Sequence, residues 1–317
     1  MSLDNIMWLE HLIIAGVLAA LIVIYFRVAD KYDIIDKPNQ RSSHKTPTIR
    51  GGGIIFPIAI LLLGFLNSFY FPYLTIAVLL SGLISFVDDI RDMPRIMRFG
   101  VHLLAAALLL HEAYILTMPT VLVILAVVFV VGVINAYNFM DGINGITGFY
   151  SLAILLPLMW TEADEHIFEL EIVVLIALLI FLFFNARKRA RCFAGDVGSV
   201  TIAVIISYLI TQRVIETEDY KYMGFLSLYV VDTAVTIVQR AIAGEKIFEA
   251  HRRHLFQVMS NELKTPHMVV ALSYGILQLL MNAAIVNTNL GVLGIIAFYV
   301  VMFLLYIVLK IRVLKKI

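Results

Sequence analysis

The chain has 317 residues, 61% of them apolar and 15% charged, whereas soluble globular proteins run at roughly 45–50% and about 25%. That composition excludes a soluble globular domain, and no interval between apolar runs is long enough to bury a separate core, so residues 1–317 read as a single transmembrane domain. The net charge of +1 says little by its size; its distribution along the chain carries the information.

A helical crossing takes about 20 apolar residues, and eleven runs qualify, which predicts an all-α polytopic bundle. They are Met7–Phe26, Gly53–Tyr70, Pro72–Val87, Phe99–Leu116, Pro119–Tyr137, Thr147–Trp160, Glu171–Phe184, Ala194–Thr211, Tyr222–Val238, Met268–Val286 and Gly291–Lys310. The first run has no basic segment before it and no small-residue cleavage site after it, so it is expected to persist as a span rather than be removed as a leader. Spans two and three are divided only by Phe71-Pro72, and the sixth is short beside Gly142 and Gly145; ten spans is the alternative. Cys192 is the single cysteine, which excludes an intramolecular disulfide and a cysteine metal cage.

With eleven spans, every lysine and arginine of the 24 except Arg213 and Lys221 falls on one side. The positive-inside rule makes that side cytoplasmic and places the C-terminus there. The opposite loops are acidic, with Glu162, Asp164, Glu165, Glu169 and Glu171 in one and Glu216, Glu218 and Asp219 in another. The polar intervals 27–52, 88–98, 185–193 and 239–267 all lie on the basic side, and chemistry is expected there.

In chain order, the first basic-side loop carries Arg41, His44, Lys45 and Arg50 and runs into Gly51-Gly52-Gly53, a pattern suited to an anionic, phosphorylated ligand. The next reads Asp88-Asp89-Ile90-Arg91-Asp92. Three carboxylates within one and a half helical turns can share a divalent cation with phosphate oxygens, or form a solvated helix end. Asn135, Asn138 and Asp141 follow at a spacing of three, one stripe of a helix, before Gly142 and Gly145. Polar groups at a span end are costly unless they face a wet cavity or a ligand. The loop after span seven runs Arg187-Lys188-Arg189-Ala190-Arg191 into Gly195-Asp196-Val197-Gly198-Ser199. Its arginines suit membrane anchoring, and Asp196 suits a metal. The last long loop holds His251-Arg252-Arg253-His254, guanidinium and imidazole groups able to clamp a pyrophosphate.

Taken in this order, the five segments resemble the polyprenyl-phosphate N-acetylhexosamine-1-phosphate transferase family, also called glycosyltransferase family 4, over residues from about 30 to 257. The resemblance implies an enzyme of the bacterial inner membrane with a cytoplasmic active site. It would move a sugar 1-phosphate, GlcNAc-1-phosphate or a deoxy-N-acetylhexosamine-1-phosphate, from a UDP-N-acetylsugar to undecaprenyl phosphate, releasing UMP with Mg²⁺, or Mn²⁺ as the alternative ion. By motif, Asp88 and Asp89 match the family's catalytic aspartate pair, Asp196 and Asn138 its metal site, and Asp141 its nucleotide side. Arg252, Arg253, His254, Arg41, His44 and Lys45 match substrate-binding positions, although Ser43 stands where the family carries lysine. The family's histidine motif is reduced to His254 in an Ala-His-Arg-Arg-His form, which resembles the subgroup that initiates O-antigen rather than the phospho-N-acetylmuramoyl-pentapeptide transferase of peptidoglycan synthesis. Partners implied are the donor, the lipid acceptor and a second copy of the chain as a homodimer, with no nucleic acid. A membrane transporter is the rival of another class, disfavoured because segments 54–80, 121–134 and 172–184 carry no ionisable residue.

Overall fold

The computed structural model describes residues 3–38, 46–161, 164–246 and 252–316. Among them eleven helices form one bundle: α1 Leu3–Lys31, α2 Ile55–Leu66, α3 Pro72–Ile90, α4 Arg95–Glu112, α5 Thr120–Met140, α6 Ile146–Met159, α7 Glu165–Asn185, α8 Gly195–Thr217, α9 Ser227–Ile242, α10 His267–Val286 and α11 Val292–Leu314. Each of the eleven predicted spans has its helix. Eight segments are long and apolar enough to cross a membrane, and α2 and α6 are shorter apolar helices. The eleventh, α4, is diluted by Arg95, Arg98, His102, His111 and Glu112. The protein is an all-α polytopic membrane protein.

The weakly punctuated boundaries are real breaks. After α2, Ser68 and Phe69 take positive φ angles of 50° and 56°, which turns the chain before Pro72 opens α3 at a position where its missing N–H costs nothing. Gly145 takes φ 84° at the start of α6, a conformation that only glycine adopts without steric cost.

The hub is α8, with 83% of its span buried, whereas α11 presents nearly all of its surface outward, with 11% buried. Lipid tails are as apolar as leucine, so burial alone does not hold helices together; close packing and interhelical hydrogen bonds do. Both are present. A Cβ on Gly53 would stand 2.1 Å from the Gly198 Cα, so two glycine segments press α8 against the entry to α2. The glycines that the sequence offers to a ligand are used here for backbone against backbone. Pro157, inside α6, has no N–H for the carbonyl of Ala153, and the Asn282 amide of α10 donates to that carbonyl at 2.9 Å. Gln278 of α10 donates to Asn282 at 2.7 Å and accepts from the Tyr150 hydroxyl of α6 and the Leu228 N–H of α9, both at 3.0 Å. On the acidic side, Arg213 of α8 donates to Glu171 of α7 at 2.9 Å and to Glu216 at 3.0 Å.

A two-stranded antiparallel ribbon pairs Ile35 with Ile49 and Asp36 with Thr48. Ile49 also bridges to Cys192, and the N–H groups of Gly52 and Gly53 donate to the carbonyls of Phe193 and Ala194 at 2.7 and 3.0 Å. The first and third basic-side loops are thereby stitched together beneath the end of α3.

Candidate active site

The end of α3 supplies two adjacent aspartates with different surroundings. Asp89 is turned inward, its side chain 0% exposed. Its Oδ1 accepts from Arg50 Nε at 2.8 Å and from the Asp196 N–H at 2.9 Å, and its Oδ2 from the Val197 N–H at 3.1 Å. These are first-turn amides of α8, where a carboxylate satisfies orphan donors and meets the positive end of the helix dipole. Asp88 faces the other way, accepting from the Met93 N–H and from Arg98 Nη1, both at 2.6 Å. The same Arg98 nitrogen lies 3.5 Å from Asp196 Oδ2, and Arg50 Nη2 lies 4.0 Å from Asp196 Oδ1. Burial works against the Arg50 charge, but Asp89 and Asp196 more than offset it, and its pKa is raised.

Asp196, 23% exposed, is the open member of the cluster. Asp88 and Asn138 both come within hydrogen-bond reach of its carboxyl, and Asn138 Nδ2 donates to Ser199 Oγ at 3.4 Å. Asp141 follows α5 as its cap and accepts from the Thr147 hydroxyl at 2.5 Å. Its pKa is pushed up to about 6, chiefly by burial; the Thr147 hydrogen bond opposes the rise, Asp196 adds to it and Arg50 works against it.

The structure refines two sequence expectations. Helix α3 ends at Ile90, with Arg91 extended, and Asp92 is exposed. The three carboxylates of the motif therefore do not share one helix end; Asp196 takes the third place. Asn135 does not join Asn138 in the stripe, because its amide donates back to the Val131 carbonyl of its own helix at 2.7 Å.

His254 is buried beside the same end of α5. Its ring centroid is 6.4 Å from that of Phe139, and a Cβ on Gly142 would meet the Phe256 ring at 3.0 Å. His254 Nδ1 lies 3.0 Å from Asp232 Oδ1 of α9. Arg253 is half exposed and ion-paired with Glu245, and Arg252 is partly buried beside it. Arg41, His44 and Lys45 lie outside the described residues. Of the arginines after α7, Arg187 donates to the Phe183 carbonyl and covers that ring at 4.5 Å, and Arg191 pairs with Asp30 at 3.1 Å.

Sequence reasoning missed three participants. Arg98 reads there as one more positive-inside residue, and Arg50 as part of a phosphate loop rather than as the partner of Asp89. Asp232 sits unremarked in an apolar run, where an ionisable residue within a span is itself the signal.

Among the described residues, no group of three His, Cys, Asp or Glu side chains is arranged to hold a metal ion. The open cluster offers two carboxylates, Asp88 and Asp196, and the Asn138 amide. That hard-oxygen set suits Mg²⁺, which keeps waters and substrate phosphates among its ligands, better than a cage-bound zinc.

A family model, glycosyl transferase family 4, matches residues 71–213. Over these residues the chain is similar to glycosyl transferase family 4. No curated protein matches the chain. The matched segment carries Asp88, Asp89, Arg98, Asn138, Asp141 and Asp196; Arg50 joins them from the flanking chain through Asp89 and Asp196, and Asp232 and His254 also lie outside the segment. Family 4 joins a sugar-nucleotide donor to a lipid-phosphate acceptor in a membrane. A site at one end of an apolar bundle, with anionic oxygens set among arginines, fits such a transferase.

Proposed function

We propose that this protein transfers an N-acetylhexosamine 1-phosphate from a UDP-sugar to undecaprenyl phosphate at the cytoplasmic face of a bacterial inner membrane, releasing UMP and initiating a surface polysaccharide such as O-antigen. The observation that carries the reading is the convergence of Asp88, Asp196 and Asn138 between Arg50 and Arg98 at the basic end of the bundle.

In this scheme an oxygen of the acceptor phosphate attacks the sugar-bearing phosphorus of the donor, the P–O bond to UMP breaks, and UMP leaves with the electron pair. Both reactants are anions, so the barrier is lowered by neutralising charge at the transferring phosphoryl group. Arg98 and Arg50 supply fixed positive charge. Mg²⁺ held by Asp196 and Asn138 would supply polarisation of the phosphoryl oxygens. Asp88 is the acceptor-side carboxylate, placed to take a proton from the lipid phosphate. The acceptor's chain lies in the bilayer, which holds its phosphate at the depth where α3 and α8 end and removes much of the entropic cost of the encounter.

The test is UMP release by the purified protein from a panel of UDP-N-acetylsugars with undecaprenyl phosphate. Release that requires Mg²⁺ and is lost in Asp196→Ala supports the reading. Release unchanged by EDTA or by Asp196→Ala refutes it.

A further inference from the structure

Outside the family-4 segment, one buried carboxylate has more partners than a structural role in an apolar helix requires. Asp232, 0% exposed, lies within α9. Its Oδ1 meets His254 Nδ1 at 3.0 Å and accepts from the Thr236 hydroxyl at 3.2 Å. Its Oδ2 accepts from the Tyr274 hydroxyl of α10 at 2.9 Å and from the Leu255 N–H at 3.2 Å. The charge is balanced from α11, the helix otherwise turned outward: Lys310, 2% exposed, donates to Thr236 Oγ1 at 2.8 Å. The relay runs Lys310 to Thr236 to Asp232.

Two of these contacts reach the segment that carries His254, and they set its place. Asp232 is ten residues before the last residue of α9, Ile242, roughly 15 Å back along the helix at 1.5 Å per residue. The chain beyond α9 therefore folds back into the bundle, and the Asp232 carboxylate fastens it. Gln257 closes the fastening by accepting from the His254 N–H at 3.3 Å. The fastened segment then packs on Phe139 and Gly142, the part of the chain that carries Asn138 and Asp141. A carboxylate on one imidazole nitrogen fixes ring orientation and tautomer and stabilises the ring when it is protonated.

We propose that Asp232 is a positioning residue of the transfer reaction: held in charge balance by Lys310, it grips His254 by Nδ1 and presents the imidazole to the phosphates of the nucleotide-sugar donor. The proposal rests on the transferase reading above. It goes beyond it by adding α9 and α11 to a site whose other carboxylates come from α3, α5 and α8.

The experiment is a kinetic double-mutant cycle on the full chain in nanodiscs, with undecaprenyl phosphate and the best UDP-sugar of the panel. Asp232→Asn is expected to lower kcat by about 10- to 100-fold with KM for the donor within about threefold. In a His254→Gln background the same change is expected to cost less than about threefold, because the group it acts through is gone. Equal losses in the two backgrounds would overturn the proposal while leaving the transferase reading intact. A wild-type protein that releases UMP from no donor overturns the reading and the proposal with it. Removing one charge of a buried pair can unfold a protein, so the neutral pair Asp232→Asn/Lys310→Met is measured by the same criterion if the single variant aggregates. If neither folds, Asp232 is a scaffold residue and the proposal fails.

Discussion

Asp89 and Asp196 are joined through the main chain: the Asp89 carboxylate accepts the Asp196 N–H at 2.9 Å, and the Asp196 side chain is left open to the site. The adjacent aspartates at the end of α3 therefore differ in their surroundings, with Asp89 seating the first turn of α8 and Asp88, on the proposed reaction, turned to the reactants. Asp89→Ala is expected to cost about 1–3 kcal/mol of stability, since it strips an acceptor from two buried amides and from Arg50, and its activity loss should follow from that. Asp88→Asn is expected to leave stability near wild type and to abolish turnover. Thermal unfolding in detergent, measured beside UMP release, separates the two; equal stability losses would contradict the difference.

The architecture was legible because apolar runs at this density admit one solvent. Even the weak breaks at Phe71-Pro72 and Gly145 were marked by residues that stop or turn a helix. The acidic and amide members of the site were legible because they stand at span ends, where polarity is conspicuous. Arg98 was hidden among other basic residues that topology alone explains, and Asp232 by the apolar sequence around it. Nothing local in the sequence tells Asp88 from Asp89; the difference is made by α8, more than a hundred residues later. Asp92 and Asn135 were over-read for the same reason, since a motif spacing assumes a helix whose end and whose hydrogen bonds only the fold decides.

On the acidic side, Arg213 and Glu171 are both 0% exposed and meet at 2.9 Å. Buried pairs add little net stability over apolar packing, but breaking one strands a charge. Glu171→Leu is expected to destabilise by about 3–5 kcal/mol on that ground, whereas Glu171→Leu with Arg213→Met should recover most of the loss. Because this pair lies at the end of the bundle away from the site, kcat of the folded fraction should not change. A double variant as unstable as the single one would show that Arg213 acts through Glu216 and the Leu158 carbonyl instead.

Cys192 is 0% exposed and locked under the Gly52 backbone. Burial pushes its thiol up to about 12, with Arg191 and Arg187 opposing the rise. Because the pKa is raised, the thiolate is absent at neutral pH and stays scarce until well above pH 10. Maleimide at pH 7 should leave the native protein unlabelled and react after denaturation. Gly52→Ala places a Cβ 2.4 Å from Sγ, so it should expose the thiol to labelling and loosen the stitch between the first and third loops. Fast labelling of the native wild type would refute this packing.

Arg98 holds Asp88 at 2.6 Å and reaches toward Asp196 at 3.5 Å, so it occupies the position between the two carboxylates that a phosphate-bound cation would share. An arriving phosphate offers the guanidinium a competing anion, and its shift toward that phosphate would leave Asp88 able to accept a proton. On the proposed reaction, Arg98 would couple acceptor binding to base activation. Arg98→Ala is expected to lower kcat by about 10²–10³-fold, the usual scale for losing one electrostatic contact to a transition state, and to raise KM for the lipid phosphate. Arg98→Lys keeps the charge without the planar fork and should recover only part of the loss. In an Asp88→Asn background the Ala substitution should raise KM for the acceptor but lower kcat little further, because the base it releases is already gone. Full, independent losses in kcat would mean that Arg98 acts on phosphate alone and that the contact with Asp88 has no part in turnover.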